Sequence, residues 1–322
     1  MNALRQTGKS APQVWPEIIT GGRVDEGTEM NALRQTGKSA PQVWPETITG
    51  GRVDEDTEMN ALRQTGKSAP QDLFRLDGKA ALVTGAGRGL GQAMAVGLAE
   101  AGADVAGLYL TQCEETQAQV EALGRRFLPV QCDLREATVA RLNEVVDEVV
   151  REMGRLDVLV NDAGIIRRAP ALEFSEQDWD DVLQVNLKAL FFLSQAAARV
   201  MARQGGGKII HVASMLSFQG GILVPAYTAA KSGVAGLTRA LANEWAPQGI
   251  NVNAIAPGYM RTDNTAPLRA DPQRSQAILA RIPAGRWGEP DDLKGAVVFL
   301  ASAASDYVHG AIVPVDGGWL AR

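Results

Sequence analysis

Tyr227 and Lys231 stand four residues apart in a stretch, residues 226–245, whose pattern predicts a helix, so both side chains fall on one helical face. A phenol with an ordinary pKa of about 10 is a poor base at neutral pH. An ammonium beside it favours phenolate and brings the group towards the range useful for proton transfer. Ser214 precedes Tyr227 by thirteen residues, just after an apolar run. Its hydroxyl can hydrogen-bond a reacting oxygen and stabilise developing charge. These are parts for moving a proton at a carbonyl or alcohol oxygen. No side chain donates hydride, so a redox form of that chemistry requires a nicotinamide group. The plainer alternatives are a snorkelling surface pair at 227 and 231 and a strand-end cap at 214.

A second group of residues fits the nicotinamide requirement. Thr84-Gly85-Ala86-Gly87-Arg88-Gly89-Leu90-Gly91 joins an apolar run (79–84) to a helical pattern (90–100). Glycine lets the main chain turn sharply and approach a pyrophosphate, which the free N–H groups and positive dipole end of the helix then receive. The spacing is G-x-x-x-G-x-G, at 85, 89 and 91, and not the G-x-G-x-x-G of the usual dinucleotide fingerprint, because Leu90 stands where that pattern needs glycine.

The elements that must hold these residues alternate. Apolar runs at 79–84, 104–110, one ending at Gln131, 156–160, 208–212, 250–255 and 311–315 read as buried strands. Helical patterns intervene, the longest at 136–153, 177–202 and 226–245. Such alternation predicts an α/β fold, one doubly wound Rossmann-type domain over residues 72–322, with a seven-stranded parallel sheet and helices on both faces.

In joint order, the T-G-x-x-x-G-x-G turn, Asp133 after the third strand, Asn161-Asp162-Ala163-Gly164 after the fourth, Asn186, Ser214, Tyr227-Thr228-Ala229-Ala230-Lys231 and Pro257-Gly258 with Thr262 resemble the short-chain dehydrogenase/reductase family. The resemblance spans residues 72–322 and departs once: the family usually has Asn where Asp162 stands. That swap replaces two donors with acceptors and puts the hydrogen bonds of the turn in question. The longer strings at 166–168, 213–221 and 256–260 resemble its sugar-acid dehydrogenases.

The resemblance implies a catalytic set of Asn186, Ser214, Tyr227 and Lys231. Lys231 would also hold the nicotinamide ribose, and Asn186 a water that links Lys231 to solvent. It implies dinucleotide contacts from Gly85, Arg88, Gly89, Leu90, Gly91, Asp133, Leu134, Asn161, Ala163, Gly164, Tyr227, Lys231, Pro257, Gly258 and Thr262. Substrate contacts would come from Ser214, Arg167, Arg168, Gln219 and Tyr227. Arg167 and Arg168 suit a carboxylate, since guanidinium donates two parallel bonds, and either could hold it. NAD is the expected dinucleotide. The second strand runs into Tyr109-Leu110-Thr111-Gln112, with neither an acid for the ribose 2′-hydroxyl nor an arginine for a 2′-phosphate, although Arg88 could reach one; the resemblance to sugar-acid dehydrogenases is what points to NAD. A homotetramer is expected, with helices around 177–202 and 226–245 at an interface. The alternatives are a gluconate 5-dehydrogenase, an NADP-linked reductase of 3-oxoacyl thioesters, which would want an apolar entrance and a basic docking patch, and a non-catalytic dinucleotide sensor, which would need no proton donor.

Composition limits the rest. Of the 322 residues, 45% are hydrophobic and 21% charged, enough for an ordinary core. A net charge of −5 gives no general attraction to nucleic acid or anionic membrane. The cysteines, Cys113 and Cys132, and the histidines, His211 and His309, fit no metal site, and the thiols read as reduced in a cytoplasmic protein. Residues 1–29 recur at 30–58 with Ile18 replaced by Thr47 and Gly27 by Asp56, and a shortened copy fills 59–71. Near-identity and few large apolar residues predict a disordered duplication or an upstream start, not a solenoid. The recurring Gly-Lys-Ser lacks the earlier glycine of a phosphate loop.

Overall fold

The computed structural model describes residues 69–322. The tandem copies expected over residues 1–71 lie outside that range apart from residues 69–71. Seven strands form one sheet: β1 (Ala80–Thr84), β2 (Asp104–Tyr109), β3 (Phe127–Gln131), β4 (Val158–Asn161), β5 (Gly207–Val212), β6 (Ile250–Pro257) and β7 (Ile312–Val315). Their order is β3-β2-β1-β4-β5-β6-β7, every pair parallel. The expected apolar runs become these strands, with ends shifted by a residue or two.

Alternation along the strands decides the two cores. Leu82, Leu159 and Ile209 point to one face, among Leu142, Val145 and Val149 of α3 (Val139–Met153) and Leu193 and Met201 of α5 (Leu190–Gln204). Leu241 and Trp245 of α6 (Pro225–Trp245) complete that layer. Ala81, Val83, Val158, Val160 and Ile210 point to the other face, among Met94 and Leu98 of α1 (Gly89–Glu100), Val120 of α2 (Glu114–Ala122) and Val297 and Leu300 of α9 (Lys294–Ala301). Each fully buried leucine contributes about 2 kcal/mol from burial. Truncating Leu82 to alanine would cost about 2–5 kcal/mol, cavity included.

Local chemistry sets the helix ends. Thr138 accepts the N–H of Arg141 and starts α3, and Gly154, at φ 81°, ends it. Ser175 likewise caps α4 (Glu176–Leu183) through the N–H of Asp178. Pro225 opens α6, where a missing N–H costs nothing. The helix expected over 177–202 is α4 and α5 joined by a π-helical turn, Gln184–Ala189. Beyond β6 lie the short helices α7 (Ala266–Ala270) and α8 (Pro272–Arg281), which the sequence reading left undefined. No helix among the described residues is long and apolar enough to cross a membrane.

The strand order reverses at β1, which has β2 on one side and β4 on the other. A crevice forms beyond the carboxyl ends of strands at such a point. Thr84 ends β1 opposite Asn161 of β4, so the glycine turn and the 161–164 turn face each other across it.

Candidate active site

One buried hydroxyl fixes the crevice floor. Thr84 Oγ1 accepts the N–H groups of both Asp162 and Ala163, each at 3.0 Å. Main-chain bonds thus hold the 161–164 turn, and the aspartate at 162 leaves them intact. The glycine turn packs tightly on itself: a Cβ on Gly91 would lie 2.3 Å from Gly85 O, and one on Gly87 2.2 Å from Gln112 O. Gly89 differs. At φ 62° it needs a residue without a side chain, and the nearest atom to a Cβ there is Thr262 Cγ2 at 3.8 Å. The gap between Gly89 and Thr262 is a cradle opening on the first turn of α1, which suits a pyrophosphate. Gly258 follows β6 where a Cβ would lie 2.6 Å from Asp316 Cα, so Pro257-Gly258 also marks a close main-chain approach.

Three residues expected to move the proton, Ser214, Tyr227 and Lys231, come together after β5 and on α6. Ser214 leaves β5 extended and its hydroxyl accepts the Leu216 N–H at 3.1 Å. The same hydroxyl acts on the Tyr227 phenol, pulling its proton affinity down. Lys231, one turn further along α6, is buried, and its Nζ donates to Val212 O at 2.6 Å. That ammonium sits 5.6 Å from the centre of the Tyr227 ring, over its face.

This geometry revises one expectation. Burial pushes the Tyr227 phenol up to about 12, and Asp162 pushes it the same way, while Ser214 and Arg168 pull it down. Lys231 is not among the groups that lower it. Its charge is spent on Val212 O and facing the ring, so the protein's own groups leave Tyr227 protonated. A cationic nicotinamide beside it would have to bring it down.

Comparison with known proteins agrees with this geometry. A family model described as enoyl-(acyl carrier protein) reductase matches residues 85–320. Escherichia coli 2-dehydro-3-deoxy-D-gluconate 5-dehydrogenase is 62% identical over 250 residues, 77% of this chain and 98% of that protein. The chain is a short-chain dehydrogenase/reductase. Two solved structures of the family resemble it closely. One, from Agrobacterium tumefaciens, is described as a 2-deoxy-D-gluconate 3-dehydrogenase with bound NADP. It is 57% identical with a TM-score of 0.73, covering 78% of this chain and 100% of that one. The other, a Burkholderia cenocepacia gluconate 5-dehydrogenase in complex with NADP and tartrate, is 41% identical with a TM-score of 0.75, covering 79% and 100%. This short-chain dehydrogenase/reductase is therefore an oxidoreductase that uses a nicotinamide dinucleotide.

The dehydrogenase separates its two candidate arginines. Arg167 turns to α4, with Nε 3.1 Å from Asp178 Oδ1 and NH2 3.6 Å from Asp181 Oδ2. Arg168 crosses the crevice and donates to Asn264 O at 2.9 Å, and its charge reaches the Tyr227 phenol. Two further arginines meet the same turn after β6. Arg88 pairs with Asp263, both largely exposed, and Arg269 of α7 donates to Thr262 O at 3.0 Å. The Arg269 Nε is buried without a hydrogen-bond partner, and no carboxylate within the described residues pairs with this guanidinium. Arg269 escaped the sequence reading because α7 has only five residues and no sustained pattern.

The remaining expected residues divide by how they face the crevice. Asn161 sends its amide into the core, donating to Ser194 Oγ at 3.0 Å, so only its main chain borders the crevice. Asn186 lies in the π turn, where its amide oxygen accepts the Ile165 N–H at 2.8 Å and its NH2 donates to Ile165 O at 2.9 Å. Asp133 accepts the Arg135 N–H at 2.9 Å, and Leu134 is buried with its carbonyl on Gln184 at 3.2 Å. Gln219 gives its amide oxygen to Trp319 Nε1 at 3.2 Å and Arg281 at 3.4 Å, tying the stretch after β5 to the chain's end. His211 is fully buried between Ser194 and Thr238, at 3.0 Å from each, and burial holds it down at about 3, neutral.

Proposed function

We propose that this oxidoreductase interconverts a keto and a hydroxyl carbon of a small sugar acid, of the 2-dehydro-3-deoxy-D-gluconate type. The observation that carries the reading is Arg168. Among the described residues it is a guanidinium with no carboxylate partner, directed across the crevice and close enough to influence the Tyr227 phenol. A carboxylate held there would set a neighbouring carbonyl against Ser214 and Tyr227. The names of the relatives above point to the same substrate class.

A bound nicotinamide dinucleotide supplies or accepts the hydride. In reduction Tyr227 gives its proton to the substrate oxygen, and Ser214 hydrogen-bonds that oxygen as charge builds. Lys231, whose Nζ donates to Val212 O, would hold the nicotinamide ribose. Asn186, whose side-chain amide is bonded to Ile165, would hold a water that links Lys231 to solvent. The glycine turn, Asp133, Leu134, the 161–164 turn, Pro257-Gly258 and Thr262 form the dinucleotide contacts, and Gln219 borders the substrate.

For the dinucleotide we infer NAD(H). Residues 109–112 carry no cation, and Arg88 is already paired with Asp263. That exposed pair is worth at most about 1 kcal/mol, so Arg88 can be drawn to a 2′-phosphate and NADP is accepted too. We also infer a cytoplasmic homotetramer built on α4, α5 and α6, which light scattering would test. Steady-state oxidation of a 2-keto-3-deoxy sugar acid with NAD+ and NADP+ tests the central reading. The expected result is a higher kcat/KM with NAD+. Faster turnover of a 3-oxoacyl thioester than of any sugar acid would overturn it.

A further inference from the structure

The turn after β6 gathers more positive charge than its acids answer. Asp263 is paired with Arg88, and Arg261 with Glu289 at 2.8 Å. Asp271, just beyond α7, accepts the Arg274 N–H and caps α8. Arg168 donates to Asn264 O from the chain after β4, and Arg269 donates to Thr262 O from α7. Among the described residues neither guanidinium is paired with a carboxylate. Their two acceptors stand two residues apart on the 3-10 turn Asp263–Thr265 and its cap Thr262, about 4 Å along the turn's axis. Two cations are thus brought to one short stretch of chain. Like charges so placed raise each other's energy, and an anion between them lowers it.

Arg269 is not needed where it rests. Thr262 O already accepts the Thr265 N–H at 3.2 Å. The Thr265 hydroxyl, 3.0 Å from that oxygen and 2.6 Å from Met260 O, closes the turn without help from α7. The Arg269 Nε is buried with no hydrogen-bond partner, so the resting contact leaves a charged donor unsatisfied, which is costly. α7 has no buried residue, so a swing of this side chain disturbs no core. The guanidinium is therefore easily drawn to an anion held by Arg168.

We propose that Arg269 is a second specificity-determining guanidinium, which joins Arg168 on the carboxylate of the acid substrate. The proposal rests on the reading of Arg168 as that carboxylate's partner. An ionised carboxylate offers two oxygens and about four lone-pair sites, so it can accept from a guanidinium on each side. Two cations from separate stretches fix the plane of the carboxylate, and with it the direction of the carbon chain leading to the reacting carbon. An uncharged sugar leaves the two like charges unanswered, so the pair discriminates against it.

The test is a binding measurement. Tartrate is titrated by calorimetry into the full chain with saturating NAD+, for the original and for Arg269→Gln, Arg269→Lys and Arg168→Ala. Glutamine still donates to Thr262 O; lysine keeps the charge without the planar fork. Arg269→Gln should weaken tartrate binding by about 10- to 150-fold, and Arg269→Lys should recover part of that loss. Melting temperature and the Kd for NAD+ should not move. An unchanged tartrate Kd in Arg269→Gln with a weakened one in Arg168→Ala would overturn the proposal and leave Arg168 as the lone partner. Unchanged binding in both, or no tartrate binding by the original chain, would remove the reading of Arg168 as well. A weaker Kd for NAD+ would assign Arg269 to a phosphate instead, and no recovery with lysine, or unfolding of both Arg269 variants, would make its role structural; each overturns the proposal. The expected pattern with no sugar acid turned over would uphold the clamp and reject the substrate reading alone.

Discussion

Replacing Arg168 with alanine asks whether a carboxylate is held opposite Tyr227, and Arg167 provides the control beside it. Arg168 spends one NH2 on Asn264 O, leaving the rest of its guanidinium for an anion. Arg167 is committed to Asp178 and Asp181. A charge-assisted bond is worth about 1.5–3 kcal/mol, and about 1.4 kcal/mol is tenfold in affinity. Arg168→Ala should therefore raise KM for the keto acid by about 10- to 150-fold. KM for NADH should barely move. An uncharged keto sugar should be nearly insensitive, which separates a lost carboxylate contact from a displaced 262–265 turn. Arg167→Ala should instead cost about 1 kcal/mol or less of stability, as for other half-exposed pairs, with KM within about threefold of the original. Steady-state kinetics on both substrates and thermal melts decide the matter. Equal losses for charged and uncharged substrates, or a larger KM effect from Arg167→Ala, would refute the assignment.

Tyr227→Phe should lower kcat at least about 100-fold while the dinucleotide still binds, because the lost group is the proton donor; turnover above about a hundredth of the original would contradict that role. His211 is held neutral when folded, at about 3 against an ordinary 6.5. The unfolded chain binds the extra proton, so this contribution to stability is complete above pH 6.5 and is lost as pH falls towards 3. The loss is at most about 1.4 kcal/mol per pH unit, and His211→Asn should flatten that part of a melting-temperature profile. Deletion of residues 1–58 should leave melting temperature and kcat unchanged, because every motif and every strand among the described residues lies later; a large drop in either would give those copies a role.

The sheet was legible because each strand is a short apolar run ending at a glycine or polar turn, and parallel strands need no other signal. Tyr227, Lys231 and Ser214 were legible because helical spacing alone puts the first two on one face. What could not be read required contacts between distant parts of the chain. Arg167 and Arg168 are neighbours of one chemical type, and only the folded position of Asp178 and Asp181 tells them apart. The π turn at 184–189 leaves an unbroken helical pattern in sequence, so the tie between Asn186 and Ile165 was invisible. The Tyr227 environment was misjudged because proximity to Lys231 said nothing of direction: the ammonium meets Val212 O and the ring face.

Three arginines from separate stretches converge on the turn after β6: Arg88 on Asp263, Arg168 on Asn264 O and Arg269 on Thr262 O. The first lies in the glycine turn, the second in the chain after β4 and the third on the short helix α7. Were an incoming phosphate to draw Arg88 from Asp263, it would disturb the turn that Arg168 also grips. By thermodynamic necessity the influence runs equally in the other direction. Cofactor and substrate are then not independent guests: the affinity measured for either carries a factor set by the other, and the two binding constants form a closed cycle.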